Sequence, residues 1–468
     1  VEQVSAPALH SRKKKAGKIN HFATPWTLKN AAAKGDWKTR LSFLIMGFGN
    51  FAHKQIVKGA VFLAGEAAFI GFMLASGGHA MSMLLSLGGK AQQKVWNEAK
   101  GIYEYAAGDN SLLILLYGIA SIAIVVLFAL LWLASVKSCY KAQYQQEHGK
   151  HVNSFADDVK DLFDTNLQGL LMPLPLIGIF AFTLLPLIFM ISMAFTNYSR
   201  EGDHLILFNW VGLQNFGRVL SFGGNIGKTF WSVLGWTLIW AVLATFLNYI
   251  LGMILALIIN RKDTKIKGFW RFCFVLSVAV PQFVSLLIMR TMLQPNGAVN
   301  VLLQEAGLIS SPLPFFTDAT WARATVIIIN LWVGIPFTML QVTGILQNIP
   351  KELYEAAKVD GANSVVIFFK ITLPYMLFVT TPYLITTFTG NINNFNVIYL
   401  LSGGDPVPVG MTAGKTDLLV TWLYKLTVDQ QFYDLASVIG ILTFVIMMVV
   451  ALVTYHRSGS YNNEEAFR

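Results

Sequence analysis

The residues best equipped for chemistry are amides. In TTFTGNINNFNVIYLL, Asn391, Asn393, Asn394 and Asn396 fall within six residues of an otherwise apolar run, just after Gly390. A carboxamide donates and accepts at once, which suits a hydroxyl-rich ligand, and Phe388 and Phe395 offer apolar faces for a ring. Amides are costly against lipid tails, so this cluster must face protein or water. Hydrogen bonding between helices satisfies the same residues, and composition leaves both readings open. In NLWVGIPFTML, Gly334 and Pro336 are expected to kink a helix and free backbone carbonyls where a cavity is lined.

Other chemistries fit poorly. GGNIGKT and GMTAGKT end like phosphate loops at Gly227-Lys228-Thr229 and Gly414-Lys415-Thr416. The glycine required five residues earlier is replaced by Phe222 and Val409, so the backbone amides lack the wrap that phosphates need. The eight histidines are scattered without i,i+4 pairing or cysteine partners, and no Gly-x-Ser-x-Gly elbow occurs. No metal site, resident cofactor or hydrolytic centre is expected. Glu66 is the clear acid within an apolar span, and it reads as a structural partner for another helix rather than a proton site. An ion-coupled transporter calls for several such acids, and a membrane-embedded enzyme calls for a catalytic constellation.

A second stretch has shape rather than chemistry. ELYEAAKVDGANSVVIFFKITLP, residues 352–374, interrupts apolar sequence with five charged side chains. Asn348 is expected to cap a helix with Pro350 in its first turn, and Glu352 and Glu355 favour its N-terminal end. Gly361 is expected to end it in a left-handed turn. A second short helix should run from Ala362 to about Ile371, with Pro374 marking the return to membrane. Ala356 and Ala357 leave room for a partner, and Glu355 offers a charged handle. A simple reversal needs about 2–8 residues, fewer than this segment contains.

The elements that position these residues are membrane helices. Of 468 residues, 54% are hydrophobic and 13% charged, with mean hydropathy +0.54. Soluble domains carry about 25% charged residues. Eight spans are read at 57–76, 112–136, 169–195, 230–259, 270–293, 324–347, 375–401 and 434–455, several of them longer than the ~18 apolar residues of a transmembrane helix. Leu41–Phe51 is too short to cross and should lie at the interface or pack under the bundle. With the N-terminus inside, cytoplasmic segments hold 25 of the 35 Lys and Arg residues, which places both termini inside and 352–374 in the cytoplasm. The +10 charge therefore reflects basic loops rather than nucleic acid. Cys139 and Cys273 lie by cytoplasmic helix ends and make no disulfide framework. No cleavable leader is expected, because polar sequence follows the basic cluster Arg12–Lys15.

The expected fold is an all-α polytopic bundle of about eight helices. It divides into an interfacial segment 1–56, two helices with a cytoplasmic linker at 57–168, a six-helix core at 169–456 and a tail at 457–468. The linker is YKAQYQQEHGKHVNSFADDVKDLF.

EAAKVDGANSVVIFFKITLP resembles the EAA signature of binding-protein-dependent ABC importer permeases. Glu355, Ala356, Ala357, Gly361, Ile371, Leu373 and Pro374 carry the match. NINNFNVIYLLSGGDP and AGKTDLLVTWLYKLT are similar to the MalF-type maltose/maltodextrin subunits, and GNFAHKQIVKGAVFLAGEAAF looks like their Gram-positive versions. The loop after the third span is short, where the enterobacterial form carries a folded insertion. The resemblance implies a type I importer permease core in a bacterial plasma membrane. Its partners would be a second permease, two copies of an ABC ATPase holding ATP and Mg, and an external solute-binding protein. The EAA loop, with Asp360 beside Gly361, would couple to the ATPase. Sugar contacts would fall on Gly334, Phe337, Thr387, Gly390, Asn391 and Asn394, with Phe337 standing where the family often has tyrosine. The substrate implied is a maltodextrin-like oligosaccharide, with a galacto-oligosaccharide as the alternative.

Overall fold

A computed structural model describes residues 25–457, apart from 99, 165, 166 and 262. The Arg12–Lys15 cluster and the tail beyond Arg457 lie outside the described residues. Seven helices there are long and apolar enough to cross a membrane. They are α1 (Ile56–Met83), α2 (Ser111–Glu147), α3 (Leu167–Met193), α4 (Asn225–Asn260), α7 (Ala319–Gln347), α9 within Ser364–Leu401, and α12 (Tyr433–His456). The eighth expected span is a broken pair, α5 (Lys267–Ala279) and α6 (Gln282–Met292), bent by 84°. Pro281 causes the break. It lacks an N–H for the helical ladder and pushes Val280 into extended backbone, at ψ 128°.

The chain forms two compact units. One comprises residues up to Leu85 together with Leu113–Pro186. Here the segment around Leu41–Phe51 packs into protein instead of crossing. Met46 is fully buried, and its N–H donates to Glu66 Oε2 at 2.8 Å. Glu66 is thus a structural partner to a neighbouring chain segment. Gly47 N–H donates to Ser135 Oγ at 3.0 Å, and Trp132 Nε1 donates to Phe43 O at 2.9 Å, tying the segment to α2. A Cβ on Gly49 would sit 1.9 Å from Cys139 Sγ, so only glycine permits this approach. The linker is ordered rather than loose. Ser154 and Asp157 make a capping box on the helix Phe155–Phe163, and Lys58 Nζ meets Asp158 Oδ2 at 2.7 Å.

The second unit comprises Ser86–Leu112 and the chain from Leu187. Its axis is α4, whose buried residues run from Gly227 to Ile259. Trp240, fully buried, sits in the middle cluster with Leu286, Val326 and Ile398. Tyr249 and Met253 anchor the next cluster with Met339 and Met376. A cap of loops and α11 (Leu419–Val428) covers the end of the bundle where α4 and α7 begin. Arg323, at the start of α7, donates from Nε to Lys415 O at 3.0 Å and lies 4.5 Å from the Trp236 ring centroid. Lys425 Nζ meets the buried Asp417 Oδ2 at 2.7 Å, and Gly414 N–H donates to that same oxygen at 2.7 Å. One element was not read from the sequence. An antiparallel hairpin, β1 (Gln93–Asn97) with β2 (Ile102–Ala106), stands in the loop after α1.

Candidate functional site: a neutral cavity and a projecting helix

Close helix packing creates the cavity. Membrane helices approach where side chains are small. A Cβ on Gly252 of α4 would lie 2.6 Å from Thr338 Cβ of α7, and one on Gly334 of α7 would lie 2.3 Å from Asn248 Cγ of α4. Gly334 therefore makes room for an amide. Across Gly334 and Pro336, where a kink is expected, α7 remains helical without a break, with Pro336 buried and Thr338 Oγ1 donating to Gly334 O at 3.0 Å. A break in the chain falls at Val280–Pro281, and both residues line the cavity.

The cavity holds about 370 Å³. Of the residues expected to contact sugar, Gly334, Phe337, Thr387 and Asn391 line it, whereas Gly390 and Asn394 do not. Asn391 Nδ2 donates to Thr245 Oγ1 at 3.0 Å, and its backbone oxygen accepts from Trp240 Nε1 at 3.1 Å. Asn394 Nδ2 donates to Asn391 Oδ1 at 3.4 Å. Its own Oδ1 accepts from Val397 N at 3.3 Å and so caps α10 (Phe395–Leu401). Asn391 faces the cavity while Asn394 braces it from behind.

Two further amides also line the cavity. Asn248 is 8% exposed and Asn330 6%, yet Asn248 Oδ1 and Asn330 Nδ2 have no hydrogen-bond partner among the described residues. Buried polar atoms are rarely left unpaired, so an open acceptor and an open donor on one cavity mark a place for a polar ligand or water. Phe337, 47% exposed, supplies an apolar face, and Tyr383 another ring. The lining contains no Asp, Glu, Lys, Arg or His. Such a site suits a neutral polyhydroxylated molecule.

The second feature is α8 (Lys351–Val359). Asn348, expected to cap it, is instead the C-cap of α7, and α8 starts directly after Pro350. The helix ends as expected at Gly361, with φ +77°. Ala362 N–H bonds Ala357 O at 2.9 Å and Gly361 N–H bonds Lys358 O at 3.0 Å, the paired closure of a Schellman turn. Tyr354 holds α8 down through Thr372 Oγ1 at 3.2 Å. Glu355, Ala356, Asp360 and Gly361 are exposed beside Leu353 and Val359, while Ala357 is half-buried on the inner side. The face left free is both charged and apolar.

The short helix expected from Ala362 to Ile371 does not stop. Asn363 caps Ser364–Ile367, a π turn follows at Phe368–Thr372, and α9 (Leu373–Ile392) continues from it. Pro374 sits in the first turn of α9, and the wide turn upstream accommodates its missing N–H. Ile371 and Leu373 are half-buried and Pro374 is exposed.

Residues 248–458 match the family model described as binding-protein-dependent transport system inner membrane component. The chain is 35% identical over 429 residues to the galactooligosaccharides transport system permease protein GanP of Bacillus subtilis, covering 90% of this chain and 97% of that one. It is 33% identical over 439 residues to the maltodextrin transport system permease protein MdxF of the same organism, covering 92% and 97%. Against the maltose/maltodextrin permease protein MalF of Salmonella typhimurium, identity is 39% over 249 residues, about half of each chain. A solved chain from a bacterial ABC transporter involved in importing the acidic polysaccharide alginate superposes with TM-score 0.51 at 25% identity, covering 64% of this chain and 96% of that one.

Proposed function

The chain belongs to the inner-membrane components of binding-protein-dependent transport systems, and from that premise we propose that it is the sugar-contacting permease of an ATP-driven importer for maltodextrin-like oligosaccharides. The observation that carries the substrate class is the cavity. Its open amides and hydroxyls offer hydrogen bonds, Phe337 and Tyr383 offer ring faces, and it presents no fixed charge. The sugar contacts are Gly334, Phe337, Thr387 and Asn391, joined by Asn248 and Asn330. Gly390 and Asn394 act behind them, the one at a helix end and the other as a cap.

The chain is a transport subunit, and ATP with Mg is bound and hydrolysed on two copies of a separate ATPase. Those subunits grip the free face of α8 through Glu355, Ala356, Asp360 and the Gly361 turn. Movement of α8 passes along the unbroken helix from Ser364 to Asn391, a length of ~40 Å at 1.5 Å per residue. A second permease completes the path, and a solute-binding protein delivers sugar from outside. A solved relative is described in complex with an alginate pentasaccharide-bound periplasmic protein, which supports that arrangement.

Functionally we divide the chain into a segment 1–56, two helices and linker at 57–168, the core 169–456 and a tail 457–468. The charge bias places α8 and both termini in the cytoplasm of a bacterial cell. Near full-length alignment to two Bacillus relatives supports the Gram-positive type.

The galactooligosaccharide relative, at 35% identity, supports a second reading in which the rings are galactosyl. ATPase activity of the reconstituted complex, with its binding protein, separates the two. Stimulation by maltodextrins is expected. Stimulation by galactosides alone selects the second reading, and sugar-independent activity overturns both.

A further inference from the structure

Behind the Val280–Pro281 break lies a second, more apolar groove of about 560 Å³. Cys273, Ser277 and Val280 of α5, Ile288 of α6, and Trp332 and Ile335 of α7 line it. Ser277 and Val280 also line the central cavity, so α5 is the wall between the two. Helical rows run from the groove to the start of α5. Cys273, Trp270 and Lys267 follow at intervals of three, and Phe274, another lining residue, stands three beyond Arg271. Lys267 Nζ donates to Asn260 O at 3.2 Å, and Arg271 Nη2 donates to Asn260 Oδ1 at 2.5 Å. Two cations thus converge on one neutral residue, and among the described residues neither meets a carboxylate. The nearby Asp263 is paired with Arg261 at 3.8 Å. The carbonyl end of α4 at Asn260 offsets roughly half a charge, against two. Arg271 Nε is buried and has no partner among the described residues.

We propose that this groove holds one acyl chain of an anionic phospholipid from the cytoplasmic leaflet, with the lipid phosphate seated on Lys267 and Arg271. The charge bias puts this end of α5 on the cytoplasmic side, where basic pockets between helices suit anionic headgroups. Phe269, Trp270 and Phe272 are exposed there, the residue types found at headgroup level. From Trp270 to Val280 the helix rises ~15 Å, about half of a ~30 Å hydrocarbon core. A chain entering beside Trp270 therefore ends near the break. A helix from another subunit fills the groove as well, but it leaves the two cations unanswered. A zwitterionic headgroup brings its own cation, so an anionic one is the better match. The lipid has a structural consequence for transport. α5 has no fully buried residue, starts after Ile266 at φ +53° and ends at the break. The acyl chain would back this weakly held wall and keep Ser277 and Val280 against the sugar cavity.

The test uses the full complex with its binding protein, in nanodiscs of phosphatidylcholine alone or mixed equally with phosphatidylglycerol. Mass spectrometry of the complex, extracted into mild detergent, reads which phospholipid is retained, whatever sugar the chain carries. Retained phosphatidylglycerol is expected on the unaltered complex. Two variants separate the parts of the site. Lys267→Gln with Arg271→Gln removes the charge, and Leu276→Trp fills the groove from its exposed rim. Each is expected to lower retention about tenfold, the loss of roughly one charge-assisted contact or of the chain's seat. Half-saturating sugar for ATPase stimulation should be about five- to tenfold lower in the mixed nanodiscs for the unaltered chain, and equal in both lipids for the variants. Absence of retained phosphatidylglycerol overturns the inference, as does equal retention by the double variant. Inorganic phosphate that restores the sugar response in phosphatidylcholine overturns the acyl-chain seat, since the cations would then take a free anion. Loss of the second permease from the Leu276→Trp complex overturns it too, because the groove would be a subunit contact.

Discussion

Gly334 and Asn248 face each other across the junction of α7 and α4 so closely that a methyl group on the glycine would lie 2.3 Å from the amide carbon. The absent side chain of one residue is the space occupied by the other. Gly334→Ala should displace Asn248 from the cavity wall at a cost of about 1–3 kcal/mol. Sugar-stimulated ATPase should require about tenfold more substrate while the complex still co-purifies. Unchanged sugar dependence would show that Asn248 takes no part in recognition.

Asn391 and Asn394 should separate cleanly on mutation. Asn391→Ala removes a cavity amide bonded to Thr245 and should weaken sugar response five- to tenfold, the worth of about one hydrogen bond. Asn394→Ala removes the cap of α10 and should lower unfolding stability by about 1 kcal/mol, with little change in half-saturating sugar. Thermal unfolding in detergent and substrate-stimulated ATPase, measured on both variants, check the division. Identical behaviour of the two would return the whole cluster to helix packing.

At α8 the expected defect is mechanical. Glu355 is exposed, so Glu355→Ala should leave folding and insertion intact while reducing ATPase co-purification and abolishing coupled transport. Gly361→Leu forces a side chain into φ +77°, at about 1–2 kcal/mol, and should misdirect the knob with the same outcome. Wild-type co-purification and transport in both variants would remove α8 from the coupling path.

The pair Asp417 and Lys425 holds the cap over the bundle end. Lys425→Met leaves a fully buried carboxylate without its cation and should destabilise the unit by about 3–5 kcal/mol. Adding Asp417→Asn should recover part of that loss. Thermal unfolding of the single and double variants measures the difference, and full additivity would show that the pair is not coupled.

Much of this was legible beforehand, for identifiable reasons. Hydropathy places spans well because lipid leaves the backbone few alternatives. Gly361 was readable because a left-handed helix end has few occupants other than glycine. The prolines show where local rules stop. Pro336 and Pro281 carry the same defect, yet the buried Pro336 is held in a continuous helix while the exposed Pro281 breaks one. Packing decides between them, and packing is not local. Asn248 and Asn330 were missed for a related reason. Each is a single amide in an apolar helix, which looks like a packing residue until its neighbours are known. The rule that drew attention to the Asn391 cluster applies to them as well, because an amide within a membrane span needs a partner wherever it occurs.

The π turn at Phe368–Thr372 sets the phase between knob and cavity. It accommodates one residue more than an α-helix would over the same rise, so the face that α8 leads into and the face bearing Thr387 and Asn391 are offset by roughly 100°, one residue's angular step. Deleting a single residue there would restore regular winding and leave both ends locally intact. It would also turn the amide away from the cavity, like a crankshaft reassembled one tooth out of time.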